Sequence, residues 1–189
     1  MSRTALALVL AGTLATISAC NDTNGGDDNT AQPGAAKEAA GGETIASGLA
    51  ADSQFAKLAK AAGIDKTLAG PGPYTVLVPN DAAFGKLAPG TADNLQKPDQ
   101  RAQLTGVLTY HILPGVVLAE DIGKAIDNSK GKAMLATVGG TTLTATKEGG
   151  NIVLSDATGA KATIVKADEK RSNGVVHEVD TVLSPAAPS

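Results

Sequence analysis

The 189-residue sequence carries 16 basic and 19 acidic side chains, a formal net charge of −3, and 2% aromatic residues with no tryptophan. With no basic surplus, and with Tyr74, Tyr110, Phe55 and Phe84 as its only aromatics, it lacks the charge and stacking platforms that nucleic-acid readers use. Its one cysteine excludes an intrachain disulfide and its two histidines exclude a His- or Cys-rich metal site, so a folded domain depends on a core of Leu, Val, Ile and Ala.

Arg3 gives the chain a short positive start. Residues 5–17 are apolar, with Thr13 and Thr16 as the polar breaks. That run has the length of a signal-peptide core and is too short for a membrane span. Ile17-Ser18-Ala19-Cys20 follows it and resembles the lipobox of bacterial lipoprotein precursors. The resemblance implies that residues 1–19 are a signal peptide and that the Cys20 thiol takes a diacylglycerol. Two or three lipid chains then hold the protein where one would hold it marginally. Residues 21–42 change character, first polar and acidic, then rich in Ala and Gly. They bury too little apolar surface to offset ordering entropy and read as a flexible tether.

Residues 44–64 read as helix, with Phe55, Leu58, Ala59 and Ala62 on one face. Asp52 and Ser53 are capping types that divide it into two short helices, and Gly63 ends it. Pro71-Gly72-Pro73 forces a turn into a buried strand over residues 74–78, which Pro79 ends. Asn80 caps a short helix running through Asp81, Phe84 and Leu87. Pro98 opens a stronger helix whose Leu104, Val107, Leu108, His111 and Ile112 share a face; Pro114-Gly115 stops it. Residues 119–126 suit another helical turn or two. From Ala133 the pattern is strands, at 141–146, 152–154, 162–165 and 175–183, with glycine pairs and Asn173-Gly174 at the turns. The order predicts a single α/β (α+β) domain over 44–185 and a tail at 186–189.

Both histidines read first as structural. His111 lies on the apolar face of its helix, a core histidine with a satisfied hydrogen bond. Tyr110 lies off that face, which allows it to be exposed and to contact a partner. His177 sits in the last strand, with Val175 and Val179 on its side and Val176, Glu178 and Asp180 on the other. A hydrogen bond to Asp81 or to a backbone group accounts for it. Catalysis finds no support: there is no Gly-x-Ser-x-Gly elbow and no phosphate loop, and His177-Glu178-Val179-Asp180 lacks the second histidine of a zinc peptidase.

Three segments stand out together: residues 74–84 (Tyr-Thr-Val-Leu-Val-Pro-Asn-Asp-Ala-Ala-Phe), residues 108–115 (Leu-Thr-Tyr-His-Ile-Leu-Pro-Gly) and residues 173–185 (Asn-Gly-Val-Val-His-Glu-Val-Asp-Thr-Val-Leu-Ser-Pro). In order and spacing they resemble the two conserved blocks and the intervening Tyr-His motif of the fasciclin domain. Leu77 stands where that family usually has Phe, and Ser184 precedes the closing proline. The resemblance implies a compact wedge in which the two blocks form neighbouring strands, with helices packed at one end. It makes Thr75, Pro79, Asn80, Asp81, Phe84, His177 and Asp180 structural motif residues, and Tyr110 and His111 the possible interaction site. It implies a non-catalytic adhesion and protein-interaction module without a cofactor, held at the bacterial cell envelope by lipid on Cys20. In animals the Tyr-His region is tied to integrins, a partner that bacteria lack. The alternative is a carrier or sensor of a lipid, haem or glycan, which needs a large apolar pocket between helices and sheet.

Overall fold

The computed structural model describes residues 42–185; Cys20, the tether up to residue 41 and the tail at 186–189 lie outside them. Helix α1 (Ile45–Gly48) begins where the Thr44 hydroxyl accepts from Ser47 N–H. Helix α2 (Gln54–Ala62) begins where Ser53 Oγ accepts from Ala56 N–H, and ends on Gly63 at φ 77°. The expected division at Asp52 and Ser53 is therefore present. A short α3 (Asp65–Ala69) leads to strand β1 (Tyr74–Pro79). Asn80 Oδ1 accepts from Ala83 N–H at 2.9 Å and starts α4 (Asp81–Gly85). Next come α5 (Thr91–Leu95), a 3₁₀ turn (Pro98–Gln100) and α6 (Arg101–Tyr110). Helices α3 and α5 are five residues each, too short to show a periodic pattern in sequence.

Helix α6 ends before the expected Pro114. Ile112–Pro114 is strand β2, paired antiparallel with β1 through Ile112↔Val76 and Pro114↔Tyr74. Ile112 belongs to one core cluster and Leu113 to the other. Adjacent residues reach opposite sides of an extended chain but not of a helix, so burying both selects the strand.

Helix α7 (Ala119–Asn128) follows, then β3 (Ala133–Ala136), β4 (Thr142–Glu148), β5 (Asn151–Ser155), β6 (Lys161–Arg171) and β7 (Gly174–Val179). The seven strands form one sheet in the order β2-β1-β7-β6-β5-β4-β3. Strands β1 and β7 are parallel, Tyr74↔Gly174 through Pro79↔Val179; the other pairs are antiparallel. The two blocks singled out in sequence are thus neighbouring strands. The β7 strand is shorter than expected: at Asp180 the side-chain Oδ1, not a backbone carbonyl, accepts from Thr163 N–H. Val138 N–H donates to Ile112 O at 2.7 Å, and Gly139 N–H to Thr109 O, which brings the two ends of the sheet together at one corner.

One core cluster, with Leu77, Leu113, Ile122, Ile126, Leu135, Leu143, Leu154 and Leu183, fills the space that the curled sheet and α7 enclose. The other, with Phe55, Leu58, Leu68, Leu104, Leu108, Val76 and Val176, joins the N-terminal helices to β1 and β7. Val76 and Leu77 enter opposite clusters, so β1 is covered on both faces. That double cover explains its unbroken apolar run.

Candidate functional site

The motif residues converge on the loop between β2 and α7 and on the segment after β7. Thr75 is buried in β1. Its hydroxyl donates to Gly115 O at 2.8 Å and accepts from Val117 N–H at 2.8 Å. His177, fully buried on the neighbouring strand, meets the same loop: Nε2 lies 2.8 Å from Val117 O and Nδ1 accepts from Asp168 N–H at 3.1 Å. A carbonyl only accepts, so Nε2 carries the proton and the ring is neutral. Burial, the dominant cause, pushes the His177 pKa below the usual value against the pull of the Val117 carbonyl.

The predicted backbone partner of His177 is present, and the alternative partner, Asp81, is not. Asp81 Oδ1 instead accepts from Gln54 N–H at 3.0 Å and caps α2. Asp168, at φ 60° within the irregular middle of β6, turns its carboxylate to Ala119 N–H at 2.8 Å, at the start of α7. A chain of bonds therefore runs from β7 through His177 and Asp168 to α7.

His111 is 1% exposed. Its Nδ1 lies 2.8 Å from Val107 O, so Nδ1 is the donor, and Nε2 accepts from Leu183 N–H at 3.1 Å. The two histidines hold opposite tautomers. Burial lowers the His111 pKa to about 4 despite the Val107 carbonyl and the charge of Asp156. The Phe55 ring meets the imidazole edge-on at 6.5 Å. The reading of His111 as a satisfied core residue holds.

Tyr110 overturns the expectation of an exposed side chain. It is fully buried, its hydroxyl donates to Thr142 O at 3.2 Å, and burial raises its pKa. Tyr110, the last residue of α6, enters the sheet cluster, and the helix ends two residues before Ile112, the last position of its apolar pattern. Tyr110 and His111 are adjacent in sequence yet point to different cores, and neither presents a surface.

Pro79 is buried at the end of β1, and Phe84 is half-buried over the helical cluster. Asp180 accepts from Thr163 N–H at 2.7 Å, from Thr181 Oγ1 and from the Lys86 ammonium. Burial opposes its ionisation, but these bonds outweigh burial and hold the carboxyl below its usual pKa.

Sequence reasoning missed two further anchors. Asn173 was read as half of a tight turn. Its Oδ1 accepts from Ile45 N–H at 2.7 Å, and its Nδ2 donates to Leu68 O and Gly70 O, closing α1 and α3 onto β7. Asp156, buried in the β5–β6 turn, accepts from Thr158 and Ala160 N–H through Oδ1 and from Ser184 N–H through Oδ2. Its signal was the Asp-x-x-Gly turn at 156–159, where an aspartate bonds its own turn backbone.

The arrangement limits the chemistry. Both imidazoles spend both nitrogens on backbone groups, so neither is placed as a general base. Among the described residues no three His, Cys, Asp or Glu side chains gather as metal ligands, and no helix is long and apolar enough to cross a membrane. The apolar crevice lined by Phe55, Phe84, Leu104 and His111 has about 10 Å³ of free space, room for about one water. An open cleft of about 280 Å³ lies at the C-terminal ends of β1 and β7, beside Asp81, Glu169, Arg171 and Glu178. Another of about 270 Å³ separates α7 from β3.

The fasciclin domain model matches residues 51–185. Protein sll1483 of Synechocystis sp. is 34% identical over 147 residues, covering 78% of this chain and 71% of that protein. Transforming growth factor-beta-induced protein ig-h3 of Sus scrofa is 29% identical over 147 residues, covering 76% of this chain and 20% of that much longer one. Among solved structures, a FAS1 domain pair from the insect cell adhesion molecule Fasciclin I superposes with a TM-score of 0.52 at 25% identity, over 69% of this chain and 44% of that one. With the fold, the parallel block strands and the Tyr-His segment in place, the chain belongs to the fasciclin-domain family.

Proposed function

We propose that this protein is a non-catalytic interaction module displayed outside the cytoplasm, tethered to a bacterial membrane by lipid on Cys20, and that it works by binding a protein or envelope component. The observation that carries the reading is the internal use of its polar motif. Thr75, His111, His177, Asp156 and Asn173 all bond backbone groups of the same domain. No activated nucleophile or base is left over from that set, and recognition falls to the outer surface. A relative described as a cell adhesion molecule supports the same reading.

The carrier alternative draws less support. The apolar crevice is too small for a lipid or glycan, and both histidines are buried with both nitrogens occupied, which removes them as haem ligands. Acylation is tested by the Cys20→Ser variant: loss of the lipid mass and release from the membrane fraction are expected, and unchanged mass and fractionation would overturn the anchor. Binding is tested by cross-linking in the living cell. A specific adduct is expected, and its absence above background would count against an interaction module.

A further inference from the structure

Strand β3 ends the sheet and pairs only with β4, through Ala133↔Ala145, Met134↔Thr144, Leu135↔Leu143 and Ala136↔Thr142. Its far end is tied to β2 and α6 by the Val138 and Gly139 amides, so the open edge is the stretch beginning at Ala133. Beside it lies the 270 Å³ cleft, walled on the other side by Asp121, Lys124, Ala125 and Asn128 of α7.

An open edge offers backbone donors and acceptors to another strand, and proteins blunt such edges with charges, prolines or cover. The sequence of β3 is Ala-Met-Leu-Ala, with no charge and no proline. Alternation buries Ala133 and Leu135 and turns Met134 outward. Among the described residues, the exposed large hydrophobic side chains are Met134 at 51%, Val138 at 47% and Val165 at 52%. Two of them flank this edge. At its N-terminal end stand Lys130 and Lys132, both exposed and without an acidic partner among the described residues.

We infer that the groove between α7 and β3 is the partner-binding site, and that it takes an extended apolar peptide segment, added antiparallel to β3, with a carboxylate at its C-terminal end. Antiparallel addition sets the peptide's C-terminal end beside the N-terminal end of β3, where the two unpaired lysines are. Backbone hydrogen bonds to the edge supply the attachment, and contact with Met134 and the α7 wall selects the side chains. Methionine at the contact suits a surface that adapts to more than one apolar side chain. On the α7 wall Lys124 is already paired with Glu120 and Asp121 adds a negative charge, which places the carboxylate at the lysine end.

This inference rests on the interaction-module reading, and its test does not involve the lipid anchor. The full chain is titrated with a fluorescein-labelled octapeptide of alternating threonine and valine ending in aspartate with a free carboxylate, read by fluorescence anisotropy. Saturable binding is expected. Lys132→Glu is expected to weaken it about fivefold, an effect of the size that reversing a rim charge produces. Met134→Lys, which protects the edge and perturbs only an exposed side chain, is expected to weaken it about tenfold or more. Val165→Lys, equally exposed on β6, is expected to leave binding unchanged. No saturable binding at millimolar peptide, or an equal loss in Val165→Lys and Met134→Lys, would overturn the site. A cross-linked cellular partner attached through another face would then leave the interaction-module reading standing while this groove fails.

Discussion

Mild acid should destabilise this domain through His111. In the native state the ring is neutral and buried, donating through Nδ1 to Val107 O and accepting through Nε2 from Leu183 N–H. The facing groups are the Phe55 edge from α2, Val107 from its own helix, the Leu183 backbone and, more distantly, the Asp156 carboxylate. Protonation converts Nε2 from acceptor to donor and sets it against an N–H. It also places a charge in a core whose one nearby anion, Asp156, is already held by four hydrogen bonds.

An unfolded histidine takes up its proton near pH 6.5, and His111 in the native state only near pH 4. Between those values the unfolded chain binds more protons, so stability falls as pH falls. Each unit of pKa corresponds to about 1.4 kcal/mol, so His111 withdraws roughly 3 kcal/mol across that window. This is a large share of the roughly 5–15 kcal/mol that holds a typical domain. His177 acts in the same direction, its pKa also being lowered. Asp180, whose pKa lies below 3.8, contributes stability that is lost only below that pH. The assay is urea unfolding at a series of pH values from neutrality to pH 4, on wild type and on His111→Gln. Glutamine keeps an acceptor for Leu183 N–H and cannot titrate, so the variant should be weaker at neutral pH and flatter with pH. Parallel slopes for the two proteins across the window would refute the argument.

The two tautomers are separately visible: long-range ¹H–¹⁵N spectra at neutral pH should show an unprotonated Nε2 in His111 and an unprotonated Nδ1 in His177, and the same pattern in both rings would contradict the geometry. Thr75→Val keeps the shape but strands Gly115 O and Val117 N–H; it should cost about 2–4 kcal/mol by denaturant titration, since each buried unpaired group costs about 1–3. Asn173→Ala frees Ile45 N–H and the Leu68 and Gly70 carbonyls. Amide exchange in α1 and α3 should then accelerate while β4 and β5 stay protected, and uniform acceleration would refute a local role.

Much of the fold was legible because local chemistry and tertiary structure agree. Asn80, Ser53 and Gly63 are capping residues by type and by position. The apolar run of β1 is covered on both faces, as its composition required. Legibility failed where tertiary pairing overrode a helical pattern. Ile112 continues the α6 face, yet β1 pairs with it and with its neighbour Leu113 and splits the two between two cores. Tyr110 failed for a related reason: position on a helical wheel does not register a sheet curling over the end of the helix. Side chains such as Asn173 and Asp168 were illegible because their partners lie far along the chain, Ile45 being 128 residues from Asn173 and Ala119 49 from Asp168. A turn residue looks the same in sequence whether its side chain faces solvent or caps a distant helix.

The motif that identifies the family therefore differs in kind from the surface that would recognise a partner. Thr75 and His177 grip the loop before α7, and His177 positions Asp168, whose carboxylate caps the first turn of α7 at Ala119. Helix α7 is one wall of the groove beside β3. The buried motif thus sets where that wall stands without touching anything that enters the groove. Residues such as Lys124, Lys132 and Met134 are free of that duty: the first belongs to a surface ion pair and the others are exposed. A fold held by buried polar bonds to its own backbone can change its rim and keep its core. The motif accordingly predicts the architecture closely and says little about the ligand, because specificity resides in side chains the architecture does not need.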